Sequence, residues 1–296
     1  RGPSDQDSTR ERLKPFHRRM KKAIILSLTA LWALPSVADD YGVWTSLTVQ
    51  KSLCKQFSVD AGVDLRAENK LRDLTRYGFD VGLNYRPLRY LGLSAGYNFI
   101  RDYNLDEEVE AKYKSNGTTL RGYNVDEAFW RSKHRATFDV TGSLPIHAGA
   151  TRITLSARER YQYTHFVSTD ITKYKYRTPM GEGSDLAGAF SYAGQHFASR
   201  NSETDTKKAK DRHYLRSRFG LELSWKHCAW SPYVTYEFSN SLTEQMHLDK
   251  RRLTVGTEWK ISKQHRLDFA YVYNNGADDD NDSDSHILSI GYKFKF

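Results

Sequence analysis

Charged side chains of both signs recur at every second position along many segments of this 296-residue chain. Arg158 and Arg160 form one such pair, and Arg216 and Arg218 form another. Guanidinium groups bind carboxylates strongly, so a mixed set of arginines and acids predicts ion pairs between neighbouring strands. Arginines without an acidic partner would instead favour small anions. The alternating charged residues are Asp60, Asp64, Arg66, Arg76, Asp80, Arg135, Asp139, Arg158, Arg160, Arg216, Arg218, Glu222, Glu237, Arg252, Glu258, Arg266 and Asp268.

Four histidines suggest a second chemistry, because each has a serine nearby in the sequence. A histidine that accepts the proton of a serine hydroxyl activates the serine as a nucleophile, as in enzymes that cleave or transfer acyl groups. None of these segments contains a recognisable nucleophile motif, and sequence neighbours do not establish a catalytic pair. We therefore assign no catalytic residue and keep a lipid-modifying esterase or acyltransferase as the alternative function. The residues are His134, His165, His213 and His286, with Ser132, Ser168, Ser217 and Ser285.

Metal binding has weaker support. The acidic run at 278–284 has oxygen ligands for Ca²⁺ but lacks the glycine and the closing glutamate of an EF-hand loop. Cys54 and Cys228 are the only cysteines, and two unclustered thiols give no metal-site spacing. A disulfide between them is allowed in an exported protein, and the sequence leaves it open. We predict neither a metal nor a cofactor.

The elements that carry the charged residues are strands, because apolar residues occupy the intervening positions. In the segment 75–85, Phe79, Val81 and Leu83 alternate with Asp80 and Gly82. Such alternation places apolar side chains on one face of a strand and polar side chains on the other. The visible runs are 43–50, 56–68, 75–85, 91–101, 133–144, 151–165, 213–225, 230–239, 250–261, 265–274 and 286–296.

Connections between these runs alternate between short and long. The short ones lie near 51–55, 86–90, 145–150, 226–231 and 261–265, and the mostly longer, polar ones at 69–73, 103–129, 166–212, 240–249 and 275–285. Short periplasmic turns and long external loops are typical of outer-membrane barrels. Eleven runs are an odd number, so we expect either a further strand within 180–200 or an incomplete first strand.

The carboxy-terminal run ends in aromatic residues. Its apolar face consists of Leu288, Ile290, Tyr292, Phe294 and Phe296. We predict that this face meets lipid, with a charged lumen on the opposite side of the sheet. A terminal Tyr-x-Phe-x-Phe is similar to the signal by which the outer-membrane assembly machinery recognises barrels, so we expect that machinery as a partner.

The amino-terminal region resembles a secretory signal. Residues 20–38 combine two lysines, a short apolar run and small residues before a cleavage site after Ala38. We expect residues 1–19 to be an upstream segment without structure and 39–296 to be the barrel. Residues 1–38 hold eight Lys or Arg and three acids, so removing them lowers the net charge from +9 to +4. This balance gives no reason to expect a nucleic-acid partner.

Several motifs together resemble an uncharacterised outer-membrane β-barrel family, catalogued as a domain of unknown function. They are Val43-Trp44-Thr45 with Lys51, the segment from Tyr85 to Phe99, His134-Arg135, the segment from Ala157 to Tyr163, Leu215-Arg-Ser-Arg218 and the segment from Gly291 to Phe296. The resemblance implies an outer-membrane location but no activity. We therefore predict an all-β transmembrane up-and-down barrel of about 10–12 strands, monomeric and surrounded by outer-membrane lipid and lipopolysaccharide. Its function would be structural, an interaction, or a narrow pore lined by ion pairs.

Overall fold

The computed structural model describes residues 40–68, 71, 73–105, 107–181, 187–275 and 285–296. Regular secondary structure in these residues is entirely β. They include no helix long and apolar enough to cross a membrane. The predicted signal peptide, the upstream segment and the acidic run at 278–284 lie outside the described residues.

Eleven strands form a closed barrel, which confirms the predicted all-β barrel and its range of about 10–12 strands. Each predicted run corresponds to one barrel strand. The barrel strands are β1 (Asp40–Ser52), β2 (Phe57–Glu68), β3 (Asp73–Leu88), β4 (Leu91–Asn104), β7 (Phe129–Ala148), β8 (Thr151–Phe166), β12 (Lys210–Trp225), β13 (Trp230–Ser241), β14 (His247–Lys260), β15 (His265–Asn275) and β16 (Ser285–Lys295).

The first and last strands close the barrel in parallel, with Asp40 opposite Ser285 and Gln50 opposite Lys295. The other barrel pairs are antiparallel. The barrel closes without a further strand and with a full first strand, contrary to the expectation of a missing or incomplete one; strands do lie at Phe190–Tyr192 and Gln195–Lys207, but they belong to a second sheet. In a meander with an odd number of strands, the first and last strands run in the same direction, so only a parallel ladder can join them.

The connections segregate to the two ends of the barrel as predicted. Short turns join β1 to β2, β3 to β4, β7 to β8, β12 to β13 and β14 to β15 at what we call the short-turn end. The carboxy terminus lies at this end, where the backbone N–H of Ser52 donates to the carbonyl of Phe296 over 3.3 Å. The opposite end carries the longer connections and is called the long-connection end.

Two of the long connections are not loops. They contain β5 (Glu107–Tyr113), β6 (Leu120–Asp126), β9 (Thr169–Pro179), β10 (Phe190–Tyr192) and β11 (Gln195–Lys207), which form a second sheet in the order β10-β11-β9-β6-β5. The connections at 103–129 and 166–212, predicted as long polar loops, therefore contain a sheet. Because β6 precedes β7 and β9 follows β8, the pairing of β6 with β9 extends the β7–β8 ribbon beyond the barrel.

The second sheet has an aromatic face and a charged face. Val125, Tyr176 and Phe197 are buried together, and the rings of Tyr176 and Tyr192 stack at 5.0 Å. On the other face Lys207 lies 2.5 Å from the Asp126 carboxylate. The sheet therefore has its own small core, separate from the charges of the barrel interior.

The outer face of the barrel is apolar in the middle and aromatic at both ends. Val63, Phe79 and Val81 are among the exposed apolar side chains of the middle zone. Trp230 and Trp259 stack at 5.2 Å near the short-turn end, and aromatic pairs such as Tyr77 with Trp130 lie near the long-connection end.

Candidate functional site

The carboxylate of Glu237, on the inward face of β13, is shared by several arginines. Arg158 donates to its Oε2 over 2.7 Å and Arg218 over 2.8 Å, while Arg216 donates to Oε1. The Nη1 atom of Arg252 lies 3.8 Å from Oε1. The Glu237 side chain is 4% exposed, so the arginines enclose the acid and separate it from solvent.

Arg160 is held by a second acid. Its Nε and Nη2 atoms donate to the two oxygens of Asp139 over 2.6 and 2.7 Å. In the β8–β12 register Arg158 faces Arg218 and Arg160 faces Arg216. We call these four residues the arginine square. Like charges directly opposite each other destabilise a sheet, so strand pairing alone gives no reason for this arrangement.

The acidic residues Asp60, Asp64 and Asp80 lie on β2 and β3, each directly opposite a glycine. A Cβ atom placed on Gly62 would lie 2.6 Å from Asp80 Oδ1, and comparable contacts would occur at Gly78. Glycine lets these carboxylates lie flat over the neighbouring strand, and a larger residue would require them to move. The result is an acidic patch on the inner wall.

Trp44 connects two of the predicted arginines. The guanidinium carbon of Arg66 lies 4.0 Å from the Trp44 ring centroid and that of Arg252 lies 5.1 Å from it. The indole N–H donates to the Glu68 carboxylate over 2.9 Å. Since β1 and β14 are separated by two strands in the barrel, this cluster reaches across the interior.

The remaining predicted residues lie in smaller groups. Arg266 donates to Glu258 over 2.8 Å, and Tyr233 donates to Asp268 over 2.9 Å. Arg135 donates to the Thr164 hydroxyl over 3.4 Å. Glu222 is exposed near the short-turn end.

Three further residues of the interior were missed by the sequence reasoning. Asp102 receives hydrogen bonds from Arg76 and lies 2.6 Å from the Lys133 ammonium. The Lys133 ammonium also lies 4.4 Å from the ring centroid of Phe166, which is fully buried. Asp102 and Lys133 continue the alternation of their strands close to the predicted strand ends. Following the alternation to these positions would have placed both residues on the inner face.

Accessibility of the inward side chains changes along the barrel axis. On β8 they are buried from Phe166 to Gln162, partly exposed from Arg160 to Thr154 and exposed at Arg152 near the short-turn end. On β15 they are buried from Asn274 to Ala270 and partly exposed beyond. We call the buried set the closed layer; it includes Ile100, Asp102, Lys133, Thr164, Phe166 and Tyr214. The interior between this layer and the short-turn end is called the chamber.

The arginine square lies where the closed layer meets the chamber. The Arg218 side chain is 35% exposed and that of Arg160 is 24% exposed, whereas their acidic partners are nearly buried. At the square the guanidinium groups are therefore more accessible from the chamber than Asp139 and Glu237 are. An arrangement of this kind can bind an anion by charge-assisted hydrogen bonds.

The four histidines considered for catalysis form hydrogen bonds with tyrosine and aspartate side chains. The Nδ1 atoms of His134 and His213 lie 2.7 Å from tyrosine hydroxyls, those of Tyr97 and Tyr161. The Nδ1 atom of His165 lies 2.7 Å from an Asp211 oxygen, and His286 pairs with a tyrosine. These pairs stand on the outer face near the long-connection end.

The structure also shows the surroundings of Glu159 and the state of the two cysteines. The carboxylate of Glu159, on the outer face, accepts a hydrogen bond from the Ser217 hydroxyl over 2.7 Å. Cys54 and Cys228 are both free thiols. Among the described residues there is no group of three or more His, Cys, Asp or Glu side chains that could hold a metal ion.

The carboxy-terminal strand closes the barrel against β1 and β15. Of its predicted lipid-facing residues, Leu288 and Phe296 are exposed and Ile290, Tyr292 and Phe294 are partly exposed. Lys293 and Lys295 occupy the alternate positions and point to the opposite face. Phe294 and Phe296 stack at 5.7 Å.

These features define a closed β-barrel with an apolar outer face and a charged interior that contains an arginine-rich site. The chain belongs to the family described as protein of unknown function (DUF2490), whose family model matches residues 41–285. The predicted resemblance to an uncharacterised family is thereby confirmed. No curated protein matches the chain.

Proposed function

We propose that the protein is an integral β-barrel of the outer membrane, with the short turns in the periplasm and the second sheet outside the cell. The single observation that carries this proposal is the distribution of side chains on the closed barrel. Apolar residues form the outer face and charged residues form the inner face. Burying the outer residues in lipid removes their apolar surface from water, while the charges would be costly there.

The ends of the barrel support a position that spans the membrane. Aromatic side chains mark both rims of the outer face, as they do at the two interfaces of membrane barrels. The carboxy-terminal aromatic strand provides the contact for the barrel-assembly machinery. Outer-membrane lipid and lipopolysaccharide then surround a single copy of the chain.

We further propose that the barrel is closed to passive diffusion by the closed layer. Lys133 is 1% exposed and Phe166 is fully buried, whereas residues of the chamber retain solvent contact. Such a barrel acts as a structural or binding element rather than as a permanently open pore. A narrow pore is the second candidate, favoured by the exposed guanidinium groups, and it requires the closed layer to rearrange.

Cell fractionation and conductance measurements test these statements separately. We expect the mature chain in the outer-membrane fraction, and a change in gel mobility between unheated and boiled samples, as for a folded barrel. Recovery in the soluble periplasmic fraction would refute the membrane assignment.

In planar lipid bilayers we expect no steady conductance from the wild-type protein. Discrete conductance steps with a preference for anions would refute the closed form and establish the pore. If such steps appear, Arg218→Gln should reduce the anion preference about threefold. One charge at about 7 Å in water contributes about 0.6 kcal/mol. The matched control is Arg251→Gln, which removes a charge from an exposed position on β14.

A further inference from the structure

We propose that the arginine square is a binding site for a small multivalent oxyanion, of the phosphate or dicarboxylate type, that enters through the chamber. This inference rests on the proposed function because it assumes that the chamber is open only toward the short-turn end. It goes further by assigning a ligand class and the residues that hold it. The site comprises Arg158, Arg160, Arg216 and Arg218, with Glu237 and Asp139 behind them.

The first argument is the balance of charge. Arg158, Arg216 and Arg218 all engage Glu237, and Arg160 engages Asp139. In these ion pairs four guanidinium groups share two carboxylates, so the square and its two acids together hold two more positive than negative charges. A dianion placed between them would offset this excess.

The second argument is the direction in which the groups are accessible. Asp139 and Glu237 are nearly buried, whereas Arg160 and Arg218 keep a quarter to a third of their side chains exposed. At the square an anion therefore meets guanidinium donors before the two buried acids, while the acidic patch of Asp60, Asp64 and Asp80 lies elsewhere on the inner wall, on β2 and β3. The planar fork of a guanidinium group matches two oxygens of a carboxylate or a phosphate.

The third argument is an unused donor. The Nε atom of Arg158 is buried and has no hydrogen-bond partner among the described residues. A buried polar group without a partner is unfavourable, and an anion or water that accepts a hydrogen bond from it removes that cost. Arg158 stands opposite Arg218 in the β8–β12 register, so one anion can contact both. The like-charge pairs of the square are thus explained as two sides of one site.

Binding is tested on the full-length mature protein, refolded in detergent micelles, by isothermal titration calorimetry. Inorganic phosphate and succinate are the two probes, each at constant ionic strength with chloride as the background anion. We expect saturable binding of at least one probe. Arg218→Gln should weaken it at least about tenfold, the effect of losing one charge-assisted hydrogen bond. Arg218→Lys should give an intermediate affinity.

Control variants distinguish the site from general electrostatics and from folding defects. Arg251→Gln lowers the net charge equally and should leave the affinity unchanged. Arg158→Gln provides a second test within the square, and the gel mobility of unheated samples shows whether each variant is folded. Phosphate binding alone identifies a phosphate-type ligand, succinate binding alone a dicarboxylate, and binding of both supports the shared chemistry.

The proposal is overturned if neither probe binds above the chloride background, or if folded Arg218→Gln and Arg158→Gln variants bind as tightly as the wild type. This result is separable from the membrane proposal because the titration uses detergent and does not depend on location. A protein found in the periplasm that still binds phosphate would contradict the membrane assignment alone. An outer-membrane barrel without anion binding would contradict this inference alone.

Discussion

Replacing Glu237 by glutamine should destabilise the barrel more than neutralising Asp139 or any one arginine of the square. The variant keeps the shape of the side chain but removes the negative charge that Arg158, Arg216 and Arg218 share. The acid is 4% exposed, so solvent cannot replace it. Breaking a buried ion pair by removing one partner costs about 3–5 kcal/mol, and several partners lose their anion here.

Glu258→Gln is the matched control. Glu258 also pairs with an arginine on the inner face, Arg266 at 2.8 Å, but its side chain is 30% exposed. Partly solvated pairs of this kind contribute about 0–1 kcal/mol. The two variants therefore differ by about 3 kcal/mol in the free energy of unfolding, although both exchange one glutamate for glutamine on a barrel strand.

Urea unfolding of the protein from lipid vesicles measures this difference, with tryptophan fluorescence as the signal and unheated gel mobility as a second probe. The free energy of unfolding should fall with urea concentration at the same slope in all variants. A shift of the unfolding midpoint then reports a change in stability. Equal losses in Glu237→Gln and Glu258→Gln would show that Glu237 is not the centre of the network. Adding Arg218→Gln to Glu237→Gln should recover part of the loss, because one uncompensated cation is then removed.

Three further predictions concern other parts of the molecule. Asp102→Asn removes the carboxylate charge that two buried cations, Arg76 and Lys133, share and should cost about 3 kcal/mol or more in the same urea assay. Gly122→Ala adds a Cβ against the backbone of β9 at a φ of 151°, so hydrogen exchange should increase in the second sheet and not in the barrel. Lys173 holds the pKa of Asp205 below its usual range. The ion pair therefore stabilises the second sheet above the ordinary pKa of an aspartate, and this stabilisation is lost as pH falls through the lowered pKa. Protection factors in β9 and β11 should therefore fall on acidification toward pH 3 in the wild type and change less in Asp205→Asn.

The barrel could be predicted from the sequence because each of its strands shows the alternation of apolar and polar residues within its own segment. In β15 the predicted run 265–274 matches the observed strand His265–Asn275 almost residue for residue. Strands were predicted too short toward the long-connection end, where β4 continues to Asn104 and β7 begins at Phe129. Buried apolar residues such as Ile100 interrupt the polar inner face there, so the alternation becomes weaker.

The second sheet could not be predicted in the same way. Lys173, Tyr174, Lys175 and Tyr176 do alternate in type, but neither face of β9 is as apolar as the outer face of the barrel. Its partner β6 lies far away in sequence, and no short turn between the two indicates a hairpin. The aromatic core appears only when Phe197 and Tyr192 are brought against Tyr176.

The candidate site was predictable in composition but not in connectivity. The alternation assigns Arg158, Arg216 and Glu237 to the inner face, yet it does not show that all three meet. Arg158 lies on β8 and Glu237 on β13, with β12 between them. Which charges meet across an intervening strand depends on strand tilt and register, and these follow from the closed barrel as a whole.

The two halves of the interior differ in solvent access rather than in the ratio of cations to acids. In the closed layer Arg76 and Lys133 share Asp102, and all three side chains are shielded from water. At the chamber four guanidinium groups share two carboxylates, and two of these groups, Arg160 and Arg218, keep part of their side chains exposed. An anion that enters from the short-turn end would therefore reach the arginine square without displacing the closed layer.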